Sequence, residues 1–143
     1  MKQEWNDDNF QEMSWNFCRL YGVRLPDEDF RFFLDIDYIA DWVRNGENFN
    51  FLVSPCLIKF NHVSNLKISL EYNENMLCFI SEIRRTNRRP SPNGNMVEWD
   101  YKIECDVGFL SFTCTGFEQK SMSEHKLIET QDLNRSFSTF PIN

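Results

Sequence analysis

Apolar and polar residues alternate along most of this chain, and the alternation recurs about every ten to fifteen residues. In LKISLEY, residues 66–72, every second side chain is apolar and the side chains between them are polar. VEWDYKIEC, residues 97–105, repeats the pattern. Side chains at every second position share one face of a β-strand, so the pattern predicts a series of strands with one buried face.

The predicted strands are joined by short connections such as PDED (residues 26–29), NEN (73–75) and DVG (106–108). Short connections favour antiparallel pairing. We therefore predict a mainly β fold, either a single-domain antiparallel sandwich or a strongly bent sheet of seven or eight strands. At most one or two short helices are expected, one within residues 1–12 and one at Ile39–Arg44.

Two further features bear on the organisation of the chain. Pro55 is expected to interrupt a strand that begins near Phe49, because proline lacks the N–H group that a central ladder needs. Residues 56–61 then resume that strand or form the next one. The domain is predicted to span residues 1–119, and residues 120–143 to form an irregular tail that packs on it or trails from it, with Phe137 and Phe140 as anchors.

Composition and charge narrow the choice of partners. The chain has 143 residues, of which 41% are hydrophobic, and its 14 Phe and 4 Trp can fill a core. Its net charge of −7 argues against a broad nucleic-acid-binding face. Residues 1–41 hold 10 of the 22 acidic residues but 4 of the 15 basic ones. This asymmetry favours another protein, of basic character, as the partner.

The stretch LDIDYIADW, residues 34–42, places three aspartates among large apolar residues. On a strand Asp35 and Asp37 point the same way, about 7 Å apart. A solvated face, a partner-facing acidic patch and a metal or catalytic site are the alternatives, although no calcium-binding loop pattern is present. Phe33 on the same face favours a binding surface. The predicted partner-binding residues are Phe33, Asp35, Asp37 and Asp41.

The segment EIRRTNRRPSPNGN, residues 82–95, contains the one basic cluster. It predicts a long hairpin tip whose arginines are solvated. The alternative is an anion-binding site for phosphate or an acidic partner, because arginine forks bind such groups bidentately. The residues concerned are Arg84, Arg85, Arg88 and Arg89.

No motif indicates catalysis or a bound metal. His62 and His125 belong to no zinc-binding or nucleophile-activating pattern, and the five cysteines include no C-x-x-C pair. We predict no catalytic residue, no metal and no cofactor. The odd number of cysteines and the polar N-terminal residues predict a cytoplasmic protein. No stretch approaches the roughly 20 apolar residues of a membrane helix.

Four stretches together resemble a known group of proteins: SWNFCRLYGVRL, LDIDYIADWV, SPCLIKFNHVSNLKISL and GFLSFTCTGFEQ. They are similar to small β-rich bacterial proteins of uncharacterised function, relatives of which are placed among the immunity proteins of polymorphic toxin systems. The resemblance covers roughly residues 14–119. Where that group often has a His-Asp pair after the tryptophan, this chain has Asn16 and Phe17. The resemblance therefore implies a compact bacterial binding protein and no catalytic residue.

These observations lead to two functional hypotheses. The first is a non-enzymatic protein-binding module, in its sharpest form an immunity-type inhibitor whose acidic N-terminal third covers a basic cleft of a toxin. The second is a small-ligand-binding protein or enzyme with an aromatic-lined pocket between the sheets, in which His62 or the pair Asp35 and Asp37 supplies polar groups. A homo-oligomer formed through a sheet edge or an apolar strip is compatible with either hypothesis.

Overall fold

The computed structural model describes residues 2–141, which form antiparallel strands and one short 3-10 helix, Asp7–Glu12. The strands are β1 (Glu4–Asn6), β2 (Arg19–Arg24), β3 (Phe32–Asn45), β4 (Asn48–Asn61), β5 (Ser64–Leu70), β6 (Ile80–Pro90), β7 (Val97–Cys105), β8 (Gly108–Cys114), β9 (Gly116–Ser121) and β10 (Lys126–Ile128). The prediction of a mainly β, antiparallel fold is confirmed. The predicted count of seven or eight strands is wrong, because β1 and β10 have three residues each and are too short to show a period of two.

The strands form two hydrogen-bonded sheets that run into each other. The six-stranded sheet has the order β1-β9-β4-β3-β2, with β10 also paired to β4, and the four-stranded sheet has the order β5-β8-β7-β6. The chain passes between the sheets at His62 and Val63, after β4, and at Thr115, between β8 and β9. There the N–H of Thr115 donates to the carbonyl of Asn61 at 3.0 Å. The sheets are thus joined at two places, from β4 to β5 and from β8 to β9.

The second helix predicted at Ile39–Arg44 is wrong, since this segment continues β3 and pairs with β4. The pairing register shifts between Ile39 and Asp41, which marks a β-bulge at Ala40. A bulge resets the alternation of faces. Across the bulge the apolar residues therefore do not follow a period of two, and the sequence pattern did not identify this segment as a strand.

Pro55 does not interrupt β4, and residues 56–61 resume the same strand. On one side β4 pairs continuously with β3. On its other side β10 pairs with residues 51–53 and β9 with residues 56–61, so that Ser54 and Pro55 face the gap between these two neighbours. The missing N–H of proline costs no ladder bond on that side.

The core lies between the sheets and follows the predicted alternation. Phe32, Leu34, Ile36 and Tyr38 on β3 are all buried. Phe60 of the six-stranded sheet lies 4.7 Å, ring centre to ring centre, from Phe112 of the four-stranded sheet. The described part of the chain has no helix with the length and hydrophobicity that a membrane crossing requires.

The first residues of the predicted C-terminal tail form strands rather than irregular structure. Lys120 and Ser121 end β9, and residues 126–128 form β10. Residues 129–141, which we call the C-terminal segment, contain no strand and lie on the outer face of the six-stranded sheet. Ile142 and Asn143, the end of the predicted tail, lie outside the described residues.

Gly108, the first residue of β8, lies very close to the paired end of β5. Its φ is +145°, and a Cβ atom there would overlap the carbonyl oxygen of Ser69 on β5. We expect Gly108→Ala to lower the free energy of unfolding by more than about 3 kcal/mol, because backbone atoms would have to move. Urea unfolding followed by circular dichroism measures the change.

Gly94→Ala is the matched control, because Gly94 also has a positive φ but has no atom near its missing Cβ. It should lower the free energy of unfolding by about 1 kcal/mol, the cost of the backbone conformation alone. Equal losses for the two variants would contradict the close approach at Gly108.

Candidate functional site

Asp35 and Asp37 lie on the outer face of β3, opposite the core-facing Leu34 and Ile36, as the alternation predicted. Their exposure differs from the prediction. The exposed fractions are 3% for Asp35 and 0% for Asp37. The expectation that these carboxylates face solvent or a partner is therefore wrong for the folded chain, because the C-terminal segment covers them.

Arg135 of the C-terminal segment pairs with both carboxylates. Its Nη2 donates to Oδ1 of Asp35 at 2.6 Å, and its Nε donates to Oδ1 of Asp37 at 2.8 Å. Nη2 also donates to the carbonyl of Ile36 at 2.9 Å. The side chain of Arg135 is 2% exposed. The planar guanidinium fork thus bridges two acids that a single ammonium group could not contact in this way.

Other donors satisfy the remaining carboxylate oxygens. The Tyr21 hydroxyl and the Leu133 N–H donate to Oδ2 of Asp37 at 2.6 and 2.7 Å. The Thr139 hydroxyl donates to Oδ1 of Asp35 at 2.7 Å, and its N–H donates to Oδ2 at 3.3 Å. Because all four oxygens are engaged, this pair is arranged as a structural anchor rather than as a base or cation ligand.

The protonation states fit this arrangement. Burial opposes the charged form of Arg135, but its hydrogen bonds to Asp35 and Asp37 outweigh burial and raise the pKa of the guanidinium above its usual value. Burial and the hydrogen bond to Asp37 raise the pKa of Tyr21 above its ordinary range. The Tyr21 hydroxyl therefore keeps the proton that it donates to Asp37.

Sequence reasoning missed Arg135 and Thr139. They lie in a segment without periodicity, and Arg135 is separated from Asp35 by 100 positions along the chain. Phe140, one of the predicted tail anchors, is half-buried, with the guanidinium carbon of Arg24 5.0 Å from its ring centre. Phe137, the other predicted anchor, is exposed. Polar contacts, rather than these aromatic rings, hold the middle of the segment.

The four predicted partner-binding residues do not form one surface. Phe33 is buried, beside Asp35 on the covered face. Asp41 lies beyond the bulge and is exposed, with its Oδ1 accepting from the Trp42 N–H at 2.9 Å. Asp41 is therefore the member of the set that remains accessible to a partner.

Next to Asp41 lies an exposed aromatic cluster. Phe17, Trp42 and Phe49, which we call the hairpin patch, have exposed fractions of 46, 40 and 39%. The Trp42 ring centre lies 5.7 Å from that of Phe17 and 6.0 Å from that of Phe49. The nearly buried Phe51 supports the Trp42 ring at 5.0 Å.

The hairpin patch is exposed because the β3–β4 hairpin projects beyond its neighbours. Strand β2 pairs with β3 only as far as Asp37, and β10 pairs with β4 only at residues 51–53. Residues 41–49 are consequently all exposed. The hairpin tip has no neighbouring strand among the described residues to cover its apolar side chains.

Charged side chains lie near the hairpin patch. Asp41, Glu47 and Glu129 make no ion pair within residues 2–141. The guanidinium carbon of Arg44 lies 5.6 Å from the ring centre of Phe49. Glu47, Phe49 and Glu129 line a shallow cavity of about 560 Å³ at the side of the hairpin. The surroundings thus carry an excess of negative charge.

The predicted anion-binding arginines lie on β6, and three of them already pair with carboxylates of the chain. Arg84 pairs with Glu104 at 3.0 Å, and Arg89 pairs with Asp100 at 2.9 Å. Arg85 pairs with Asp7 and lies between the rings of Phe10 and Trp99. Arg88 has no ion pair within the described residues. An external anion would have to displace these carboxylates, which weakens the anion-binding hypothesis.

Within residues 2–141, the two histidines and three of the buried cysteines form no catalytic arrangement. His62 Nδ1 lies 2.8 Å from the Thr115 hydroxyl, on the surface. Both ring nitrogens of His125 are buried, and burial lowers its pKa. Burial also raises the pKa of the Cys18, Cys56 and Cys114 thiols to about 12, so these thiols stay protonated. No group of three potential ligands within residues 2–141 could hold a metal ion.

Aromatic side chains fill the space between the sheets where the second hypothesis placed a pocket. Tyr101 and Phe112 stack at 5.5 Å with an interplanar angle of 4°, and Phe60 packs against both rings. Asp35 and Asp37, the suggested polar groups of that pocket, lie on the opposite face of the sheet. These contacts give the pocket hypothesis no support.

Comparison of the chain with family models, curated proteins and solved structures finds no match. The resemblance to small bacterial β-rich proteins therefore stays a prediction, and a functional proposal has to be based on the side-chain geometry.

Replacing Arg135 tests the role of the carboxylate pair. We expect Arg135→Ala to lower the free energy of unfolding by about 3 kcal/mol, because it leaves two buried carboxylates without their counter-ion. The loss should be near the low end of the range for broken buried ion pairs, since the C-terminal segment can lift and let water reach the acids. Urea unfolding measures the change.

The control is Arg88→Ala, which removes an exposed arginine that has no ion pair within the described residues. It should change the free energy of unfolding by less than about 0.5 kcal/mol. A similarly small effect of Arg135→Ala would contradict the anchoring role of Arg135.

Proposed function

We propose that this chain is a non-enzymatic protein-binding module and that its partner binds the hairpin patch. The supporting observation is that three aromatic side chains are exposed together: Trp42 and Phe49 lie on a hairpin that projects from the sheet, and Phe17 lies beside Trp42. Contiguous exposed apolar patches of this kind are typical of interaction sites. Trp42 and Arg44 belong to the residue types that contribute most to binding energy at protein interfaces.

The charge around the hairpin patch favours a basic partner. Asp41, Glu47 and Glu129 are acidic, whereas Arg44 is the basic residue next to the patch. Complementary charge accelerates association and disfavours wrong partners. The net charge of −7 of the whole chain acts in the same direction.

In the sharper form of this proposal, the chain is an immunity-type inhibitor of a toxin and acts in the cytoplasm of a bacterium. The resemblance described above suggests this form, and the acidic surroundings of the hairpin patch are suited to covering a basic cleft. All five cysteines are free thiols, as expected in a reducing compartment. The partner-binding site in this form is Asp41 with the hairpin patch, rather than Asp35 and Asp37.

The experiment measures the affinity for a partner that co-purifies with the chain from its native host. We expect Trp42→Ala combined with Phe49→Ala to weaken that affinity by roughly 100-fold or more, because central aromatic anchors each contribute about 2 kcal/mol. Asp41→Lys combined with Glu47→Lys should slow association and reduce its salt dependence. Surface plasmon resonance at two salt concentrations measures both effects.

Leu25→Ala combined with Leu77→Ala is the control, because both side chains are exposed and lie outside the hairpin patch. It should leave the affinity unchanged. Unchanged affinity of the Trp42→Ala/Phe49→Ala variant, with its fold intact by circular dichroism, would refute this binding site. If light scattering shows a dimer that the same variant cannot form, the partner is a second copy of the chain.

A further inference from the structure

The C-terminal segment contributes most of the donors that satisfy the buried carboxylates. Asp35 and Asp37 accept six hydrogen bonds, five of them from Leu133, Arg135 and Thr139. The sixth comes from Tyr21 of β2. Without the segment, the sheet would present two carboxylates and a tyrosine hydroxyl on an open face. We call this face, with the carbonyl oxygens of Ile36 and Cys56, the outer groove.

The segment is held in the outer groove as a bound peptide would be. Residues 129–141 form no strand, and within the described chain no backbone-to-backbone hydrogen bond joins them to either sheet. Their polar contacts with the sheet include the arginine fork, the threonine hydroxyl and two backbone N–H groups that donate to the carboxylates. Asp132 also pairs with Arg19 at 2.7 Å, and the Pro141 carbonyl accepts from Arg24 at 3.3 Å. Leu133 packs against the core. Charge-assisted and bidentate contacts of this kind are the strong ones in peptide recognition.

The connection to the rest of the chain allows the segment to leave. Glu129 and Thr130, which follow β10, are exposed. Residues 131–141 belong to no strand either, so the departure of the segment would break no ladder hydrogen bond of either sheet. The carboxylates would then be exposed to water, which offsets part of the cost of leaving them without Arg135.

We infer that the outer groove is a peptide-binding site, and that the C-terminal segment is its resident, exchangeable ligand. The ligand class is an extended peptide of another protein that carries an arginine followed four residues later by threonine, the spacing of Arg135 and Thr139. The arginine bridges the two carboxylates, and the threonine hydroxyl donates to Asp35 and lies 3.3 Å from the Cys56 carbonyl. This site is separate from the hairpin patch and does not depend on its function.

The test uses the full chain with a protease site introduced at Thr130 and Gln131. The protein is folded first and then cut, which leaves the sheets and the C-terminal segment joined by their contacts alone. A fluorescent synthetic peptide of residues 132–143 is added, and its fluorescence anisotropy is followed together with the circular dichroism of the cut protein. We expect the peptide to replace the cut segment while the strand signal stays unchanged.

Variant peptides identify the contacts that carry binding. Arg135→Ala in the peptide should weaken binding by roughly 30-fold or more, as expected for one partner of a buried charge pair. Thr139→Ala should weaken it by roughly fivefold, the effect of one hydrogen bond. Ser136→Ala is the control, because Ser136 is exposed and makes no hydrogen bond within the described residues. Its affinity should equal that of the unaltered peptide.

Three results would overturn the inference. In the first, the cut protein loses its strand signal when the segment leaves, which would make the segment an integral part of the fold. In the second, the added peptide does not exchange with the cut segment, or the Arg135→Ala peptide binds as well as the unaltered one. In the third, the uncut chain forms a concentration-dependent dimer that Arg135→Ala abolishes, which would assign the groove to a second copy of the chain.

Discussion

The contact between Arg135 and the carboxylates of Asp35 and Asp37 determines what the outer face of the six-stranded sheet can do. Removing two carboxylates from water costs several kcal/mol for each ion unless a cation and further donors replace the water. Here a single guanidinium bridges both acids, and Tyr21, Leu133 and Thr139 complete their hydrogen bonds. The C-terminal segment can lie over this acidic face because these donors converge on it.

This contact also redistributes the surface that a partner can reach. The two aspartates contribute to the net charge of −7 but are hidden beneath the segment. Accessible acidic groups remain around the hairpin patch, where β3 and β4 extend beyond their neighbouring strands. The projecting hairpin is therefore the part of the chain that we propose for recognition. The acidic strand identified from the sequence, β3, instead binds the C-terminal segment of the same chain.

The inner face of the sheets could be predicted from the sequence, but the covering of the outer face could not. A period of two shows which residues share a face, as for Leu34 and Ile36, and those side chains are buried. It does not show what lies against the opposite face. Arg135 has no periodic neighbours and is distant in the chain, so its pairing is a tertiary effect. One signal was available in the neighbouring strand. Leu57 and Pro55 of β4 lie opposite Asp35 and Asp37. Such apolar neighbours are unusual for solvated carboxylates and indicate that this face is covered.

A double-mutant cycle between Arg135 and the two acids measures how strongly they depend on each other. The free energy of unfolding is measured for Arg135→Ala, for Asp35→Asn combined with Asp37→Asn, and for all three changes together. If the guanidinium stabilises the fold through these carboxylates, the combined loss should fall short of the sum of the separate losses by about 2 kcal/mol or more. Losses that add to within about 0.5 kcal/mol would show that Arg135 and the carboxylates act independently, and would contradict this account.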